Sequence, residues 1–227
     1  MWVIDSGRVN LFTAPDDTCP PKLLIIDTET GELVDEPYIF PNAVAPYDET
    51  FLNDIALDNR NGGVAYISDM FTPGLIVYRR ASRTSDKFSN ISMFAEQGLN
   101  WQFREEDLGD NAFAVDTNGV TLSPNGEHLY YTTLQGLTLY SVSTAALINN
   151  DADWADNIVN HGNRTGFTDG MTMDCEGNLY HSDLNNGAIY SWDITSPDEP
   201  SVSGKFVAGN DDDMWWTDTY AWDDAGK

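Results

Sequence analysis

Short runs of alternating apolar and polar residues, separated by Gly- and Asn-rich turns, fill most of the chain. The clearest set lies between Thr168 and Trp192. Asp169-Gly170 opens a first strand over 171–174, and Glu176-Gly177-Asn178 makes a turn. A second strand covers 179–183, Asn185-Asn186-Gly187 turns again, and a third strand covers 188–192. Such alternation bounded by turn residues predicts an antiparallel meander. The unit recurs. Residues 53–58, 65–69 and 74–78 repeat it, as do 118–123, 129–133 and 136–140.

The pattern also predicts partial units at both ends. Residues 1–5 match a second strand and 21–27 a third, while 218–223 match a first strand and 224–226 its turn. First strands begin at 53, 118, 169 and 218, so the steps are 65, 51 and 49 residues. Four-stranded sheets repeating at about 40–50 residues are propeller blades. The predicted fold is therefore all-β: a β-propeller of four-stranded blades, forming one partial domain over 1–227. An open solenoid is the rival arrangement, but its coils repeat at a shorter period. The fourth strands are the least regular; 91–94, 157–159 and 204–208 are their candidates. Starting and stopping inside blades suggests a piece of a larger propeller.

The intervening segments carry a few further signals. Residues 37–46 read as an extended, Pro-rich connection between blades, and 79–112 as the longest interruption. Arg79, Arg80 and Arg83 in that stretch are expected to pair with surrounding acids. Ser143 or Thr144 can cap one helical turn. Loops are expected at 13–18, 149–156, 198–200 and 210–213.

Charge narrows the function classes. The chain has 11 Lys and Arg against 37 Asp and Glu, a formal charge of −26. Nucleic-acid binding draws its affinity from basic patches, and anionic membrane surfaces attract them too, so neither partner is expected. The charge serves solubility in a salty or extracellular medium, or concentrates cations. No apolar run reaches the ~20 residues of a membrane span. Cys19 and Cys175 fall in different units and do not fix the redox compartment. Asn90-Ile91-Ser92 and Asn163-Arg164-Thr165 permit glycosylation if the chain is secreted.

In a propeller the first strand of each blade lines the central channel, and its starting end can meet a ligand shared among blades. The repeat therefore selects Asn53 and Asp54, Asn118 and Gly119, Asp169 and Gly170, and Asp218 and Thr219. Three roles suit these positions: hydrogen bonds to backbone at strand starts, recognition of a small molecule or amine, and ligation of a hard cation. Trp215, Trp216, Tyr220 and Trp222 can line the channel mouth and stack on a cationic or aromatic ligand, or pack between blades. Asp5, Asp69 and Asp183 are expected to bond loop amides. His128, His161 and His181 occupy unrelated repeat positions and lack metal-ligand spacing. No Gly-Xaa-Ser-Xaa-Gly, Cys-Xaa-Xaa-Cys, His-Glu-Xaa-Xaa-His or P-loop motif occurs.

Several stretches together carry a family resemblance. They are Trp2-Val3-Ile4-Asp5-Ser6-Gly7-Arg8, Cys19-Pro20-Pro21-Lys22-Leu23-Leu24, Leu52-Asn53-Asp54-Ile55-Ala56-Leu57-Asp58 and Ala65-Tyr66-Ile67-Ser68-Asp69. Gly119-Val120-Thr121-Leu122-Ser123-Pro124, residues 168–192 and Trp216-Thr217-Asp218-Thr219-Tyr220 continue the series in order. The chain thus resembles the major royal jelly / yellow protein family over nearly its whole length. The resemblance implies a secreted six-bladed propeller, incomplete here, with a missing first blade and missing final strands. It implies a Cys19 partner upstream. It also implies one of three roles: binding a biogenic amine in the channel, dopachrome conversion, or nutritive storage. A second, weaker likeness is to gluconolactonase and senescence-marker propellers, whose divalent metal is held at first-strand starts. Asn53, Asn118 and Asp169 would be the matching ligands, for calcium or another divalent cation.

The expected function is binding of a small aromatic amine or catechol-derived ligand in the channel of a secreted protein, without a cofactor. Asn53, Asp54, Asn118, Asp169, Trp216, Thr217, Asp218 and Tyr220 form the expected binding set. No catalytic motif accompanies them. The alternatives are a metal-dependent lactonase or other hydrolase, and a storage protein with no channel ligand.

Overall fold

The structure, a computed structural model, describes residues 1–10, 16–60, 62–99, 102–103, 106–107, 115–209 and 214–222. Residues 13–15 of the first expected loop, the expected loop at 210–213, most of the 100–114 stretch, residue 223 and the expected turn at 224–226 lie outside them.

Three four-stranded antiparallel sheets follow one another along the chain. The first blade is Leu52–Asp58, Val64–Asp69, Gly74–Arg79 and Thr84–Phe88. The second is Thr117–Leu122, His128–Thr133, Thr138–Ser143 and Val159–Asn163. The third is Met171–Met173, Asn178–Asp183, Ala188–Asp193 and Lys205–Gly209. A three-stranded sheet of Trp2–Asp5, Lys22–Ile25 and Tyr38–Ile39 precedes them. Each complete blade is a plain meander, and the first strands of neighbouring blades lie side by side. The all-β propeller reading holds.

The second strands explain how the blades stack. Val64–Asp69 is buried throughout, because a central blade strand has a neighbour on both faces. Tyr66 packs with Val77 and Phe88 against Val120, Leu129 and Tyr131 of the second blade. Its sequence neighbours Ala65 and Ile67 point the other way, toward Leu23 and Phe40 of the N-terminal portion. Tyr130 and Leu139 repeat the arrangement against Met171, Leu179 and Trp192 of the third blade. Each such side chain contributes about 1.5–3 kcal/mol through burial.

Several sequence expectations are corrected. The first blade's outer strand is Thr84–Phe88, inside the stretch expected to be an interruption; residues 91–93 form a 3-10 turn instead. An outer strand needs little apolar character, and here only Phe88 is deeply buried while Asp86 and Lys87 pair with Arg79 and Asp69. The second blade's outer strand starts at Val159, because residues 154–157 form another 3-10 turn. Residues 218–222 carry no strand pairing, although they run beside the third blade's first strand as expected. Within the expected loop at 13–18, Asp16–Asp17 pairs with Arg8–Val9, and within the expected connection at 37–46, Tyr38–Ile39 pairs with Lys22 and Leu23 as a sheet strand. The next expectations stand. Ser143 caps the helix Thr144–Asn149 by accepting the Ala146 N–H. Lys205–Gly209 is the third blade's outer strand. Arg79 and Arg80 pair with Asp86 and Asp35, while Arg83 donates to the Glu36 carbonyl.

Candidate functional site at the channel

Strand register places the repeat-equivalent residues on one level. Ile55 pairs with Ile67, Val120 with Tyr131, and Met171 with His181. One residue earlier stand Asp54, Gly119 and Gly170; one earlier again stand Asn53, Asn118 and Asp169. The level is built from direct contacts between blades. Asn53 donates its side-chain N–H to Asn118 Oδ1. Asp54 Oδ2 reaches across to accept the Val120 N–H at 3.0 Å. Trp216 Nε1 donates to Asp169 Oδ2 at 2.5 Å.

Glycine makes this closeness achievable. A Cβ on Gly119 would lie 2.7 Å from the Asp169 carbonyl oxygen, and one on Gly170 would lie 1.5 Å from that of Asp218. The absence of a side chain at both positions lets the next segment close in. The C-terminal segment is then fixed by its side chains. Trp222 Nε1 donates to Thr172 Oγ1 at 3.1 Å, and its ring meets Tyr180 edge-on at 5.3 Å.

Below this level a cavity of about 370 Å³ opens between the three first strands and the C-terminal segment. Asp54, Thr121, Thr172, Asp218 and Tyr220 are among its lining residues. Burial raises the Asp54 carboxyl above its usual range; the Val120 and Ile55 N–H groups oppose this and the Asp218 charge adds to it. Burial likewise pushes Asp169 up to about 6, against the Trp216 hydrogen bond and with a further push from Asp218. Tyr220 Oη is buried and its hydroxyl, raised by burial, faces the Thr217 and Ser182 hydroxyls without forming a hydrogen bond that satisfies it. Asp218 is exposed, so the cavity wall holds one solvated carboxylate and the desolvated Asp54, while the desolvated Asp169 stands one residue before the lining Gly170.

The structure therefore brings Asn53, Asp54, Asn118, Asp169, Trp216, Asp218 and Tyr220 together, with Thr217 beside Tyr220. Of the expected set, Asp54, Asp218 and Tyr220 line the cavity itself; Asn53, Asn118, Asp169, Trp216 and Thr217 are not among its lining residues, nor are Trp215 and Trp222. Asn118 Oδ1 and Asp169 Oδ2 are already engaged, so a divalent ion at Asn53, Asn118 and Asp169 would compete with the Asn53–Asn118 bond and draw on the second Asp169 oxygen. Asp5, Asp69 and Asp183 accept loop amides, as expected.

Two buried groups near the same end were not legible as such. Arg164 is fully buried and donates to Thr132 Oγ1 at 2.5 Å, Gly136 O at 2.7 Å and Gly166 O at 3.1 Å, tying the second blade's 132–136 turn to the connection that leads to the third blade. Burial lowers its pKa to about 9. His181 is fully buried, bonds the Ser182 carbonyl through Nδ1 at 2.9 Å, and is pushed down to about 3 by burial and by Arg164. No local pattern marks either residue as interior. The paired glycines at 119 and 170 did offer a signal, since they share one repeat position.

Comparison with known proteins agrees with this architecture. Residues 1–226 match the family described as major royal jelly protein. The chain belongs to the major royal jelly protein family. Major royal jelly protein 7 of Apis mellifera is 28% identical over 203 residues, 85% of this chain and 44% of that protein. The dopaminechrome tautomerase of Drosophila melanogaster is 23% identical over 227 residues, 91% of this chain and 47% of the other. Protein yellow of Drosophila erecta is 25% identical over 215 residues, 90% and 39%. The chain thus spans less than half the length of these family relatives. Among solved structures, the Dos1 propeller superposes with a TM-score of 0.52 at 14% identity, covering 86% of this chain and 45% of that one. A nidogen/laminin complex gives 0.51 at 14% identity, covering 85% and 59%. These likenesses concern the fold alone. Among the described residues, no helix is long and apolar enough to cross a membrane.

Proposed function

We propose that this chain forms part of a secreted propeller whose channel binds a small aromatic amine or a catechol-derived compound. The observation that carries the reading is a 370 Å³ cavity with Asp54, Asp218 and Tyr220 in its wall, next to which Asp169, bonded by Trp216, precedes the lining residue Gly170. A cavity near the lower end of the usual ligand range suits a compound of one or two rings. Asp169 and Asp218 pair with the ammonium, Trp216 offers an indole face to it, and Tyr220 Oη and Thr217 meet ring hydroxyls. Asn53 and Asn118 hold the first two blades in place beside it. The formal charge of −26 favours a cationic ligand over nucleic acid or an anionic membrane. The same charge and the two glycosylation triplets support an extracellular destination. No cofactor is needed for binding.

The relative named dopaminechrome tautomerase extends the reading to isomerisation of such a ligand. A second reading follows from the shared level of Asn53, Asn118 and Asp169: a divalent ion such as calcium held there would polarise a lactone carbonyl or activate water. Calorimetric titration with dopamine and serotonin decides between them. Heat that saturates, and that Asp169→Asn abolishes, supports the amine reading. Absence of heat at millimolar amine overturns it. Lactone hydrolysis lost to a chelator and restored by calcium favours the metal, and neither result leaves the storage role.

A further inference from the structure

A second cavity, of about 470 Å³, lies on the outside of the blades, away from the channel. Its wall contains Ile91, Phe94, Tyr140 and Ile158, and Asn90 stands at its rim. Ile91 is 82% exposed and Phe94 44% exposed, so the groove offers apolar surface to solvent in an otherwise strongly acidic chain. Contiguous exposed apolar surface rimmed by polar residues marks interaction sites. Asn90 belongs to the triplet Asn90-Ile91-Ser92, an acceptor for N-linked sugar. Its side chain is also already oriented. Asn90 Oδ1 accepts the Ser92 N–H at 3.1 Å, as the cap of the 3-10 turn. That bond uses the amide oxygen only and leaves Nδ2 outside the cap.

We propose that Asn90 carries an N-linked glycan whose first N-acetylglucosamine covers the groove formed by Ile91, Phe94 and Ile158. In the transfer, Asn90 Nδ2 forms a bond to C1 of the sugar of a lipid-diphosphate oligosaccharide. The C1–O bond to the diphosphate breaks, the lipid diphosphate leaves with the electron pair, and one Nδ2 proton passes to the transferase. Ser92 Oγ is bonded to Tyr131 Oη at 2.7 Å in the buried contact between the first two blades. Ser92 is thus available to the transferase only before those blades pack, so modification precedes folding. Afterwards the N-glycosyl amide keeps its oxygen for the Ser92 N–H. The apolar face of the sugar ring then lies against Ile91 and Phe94.

The inference shares with the channel reading only passage through the secretory route, which a fused leader supplies. The test is glycopeptide mapping of the chain secreted from insect cells, for wild type, Asn90→Asp and Asn163→Gln. Asp keeps the capping oxygen and so preserves the turn. The expected result is sugar on Asn90 in wild type and in Asn163→Gln, and none at position 90 in Asn90→Asp. Removing the sugar with peptide N-glycosidase from folded protein is expected to at least double the fluorescence of an apolar-surface dye. Unmodified Asn90 in the secreted wild-type protein overturns the site. Unchanged dye fluorescence after removal overturns the covering role. Titration with amines reads neither, so the two proposals fail separately.

Discussion

Asp169 holds its proton more tightly in the folded chain than in the unfolded one. Its folded pKa is about 6 against 3.8 for the free group, so the native state binds more protons between those values. Stability from this group is therefore greatest below pH 4 and declines as the pH rises to 6. The full shift corresponds to about 3 kcal/mol, reduced to about 1–2 kcal/mol because the side chain is partly open to solvent. Urea unfolding is expected to show Asp169→Asn more stable than wild type by that amount at pH 7, and equal to it at pH 4. The proposed amine binding should run in the opposite sense, since only the carboxylate pairs with ammonium: affinity is expected to weaken as the pH falls from 7 to 5. His181 acts at the same end with the reverse dependence. It is buried neutral with a pKa of about 3, whereas the unfolded ring titrates near 6.5. Its stabilisation is complete above 6.5 and is lost as the pH falls toward 3, a difference of a few kcal/mol. Replacing it with Ile, the residue at register-equivalent position 67, should flatten the acid limb of stability measured by circular dichroism.

At the scale of elements, the first strands matter less for their ladders than for how closely they approach one another. Gly170 is the decisive point, because a Cβ there collides with the Asp218 carbonyl. Gly170→Ala should push the 214–222 segment off the third blade and break the Trp216–Asp169 and Trp222–Thr172 bonds. The expected outcome is a shifted tryptophan emission and at least a tenfold loss of amine affinity, at a stability cost of about 1–3 kcal/mol. Unchanged emission and affinity would show that the segment is not positioned by that contact. The outer strands show why some elements resist sequence reading. Thr84–Phe88 is polar in sequence because its job is to close a sheet edge, and its charges are answered by Arg79 and Asp69. The inner and second strands, buried between blades, show their periodicity plainly.

At the scale of the whole molecule, the charge of −26 surrounds a channel lined with carboxylates. Such a field steers cations toward the mouth, and salt screens it over about 8 Å at physiological ionic strength. Stopped-flow association of a cationic amine should therefore slow severalfold between 20 mM and 500 mM salt, while a neutral catechol shows little change. Equal salt responses for the two ligands would remove electrostatic steering from the account.

The repeat of turn-bounded alternation determined the blades from sequence alone, because strand periodicity and turn chemistry are local properties. It also placed Asn53, Asn118 and Asp169 at one level, because equivalent positions in equivalent strands must share a height. Tertiary structure decided what those residues do to one another. The Asn53–Asn118 bond, the Trp216–Asp169 bond and the raised Asp169 pKa all arise between segments far apart in the chain. Arg164 and His181 make the same point: their burial depends on which blades stack against them, and no window of neighbouring residues encodes that.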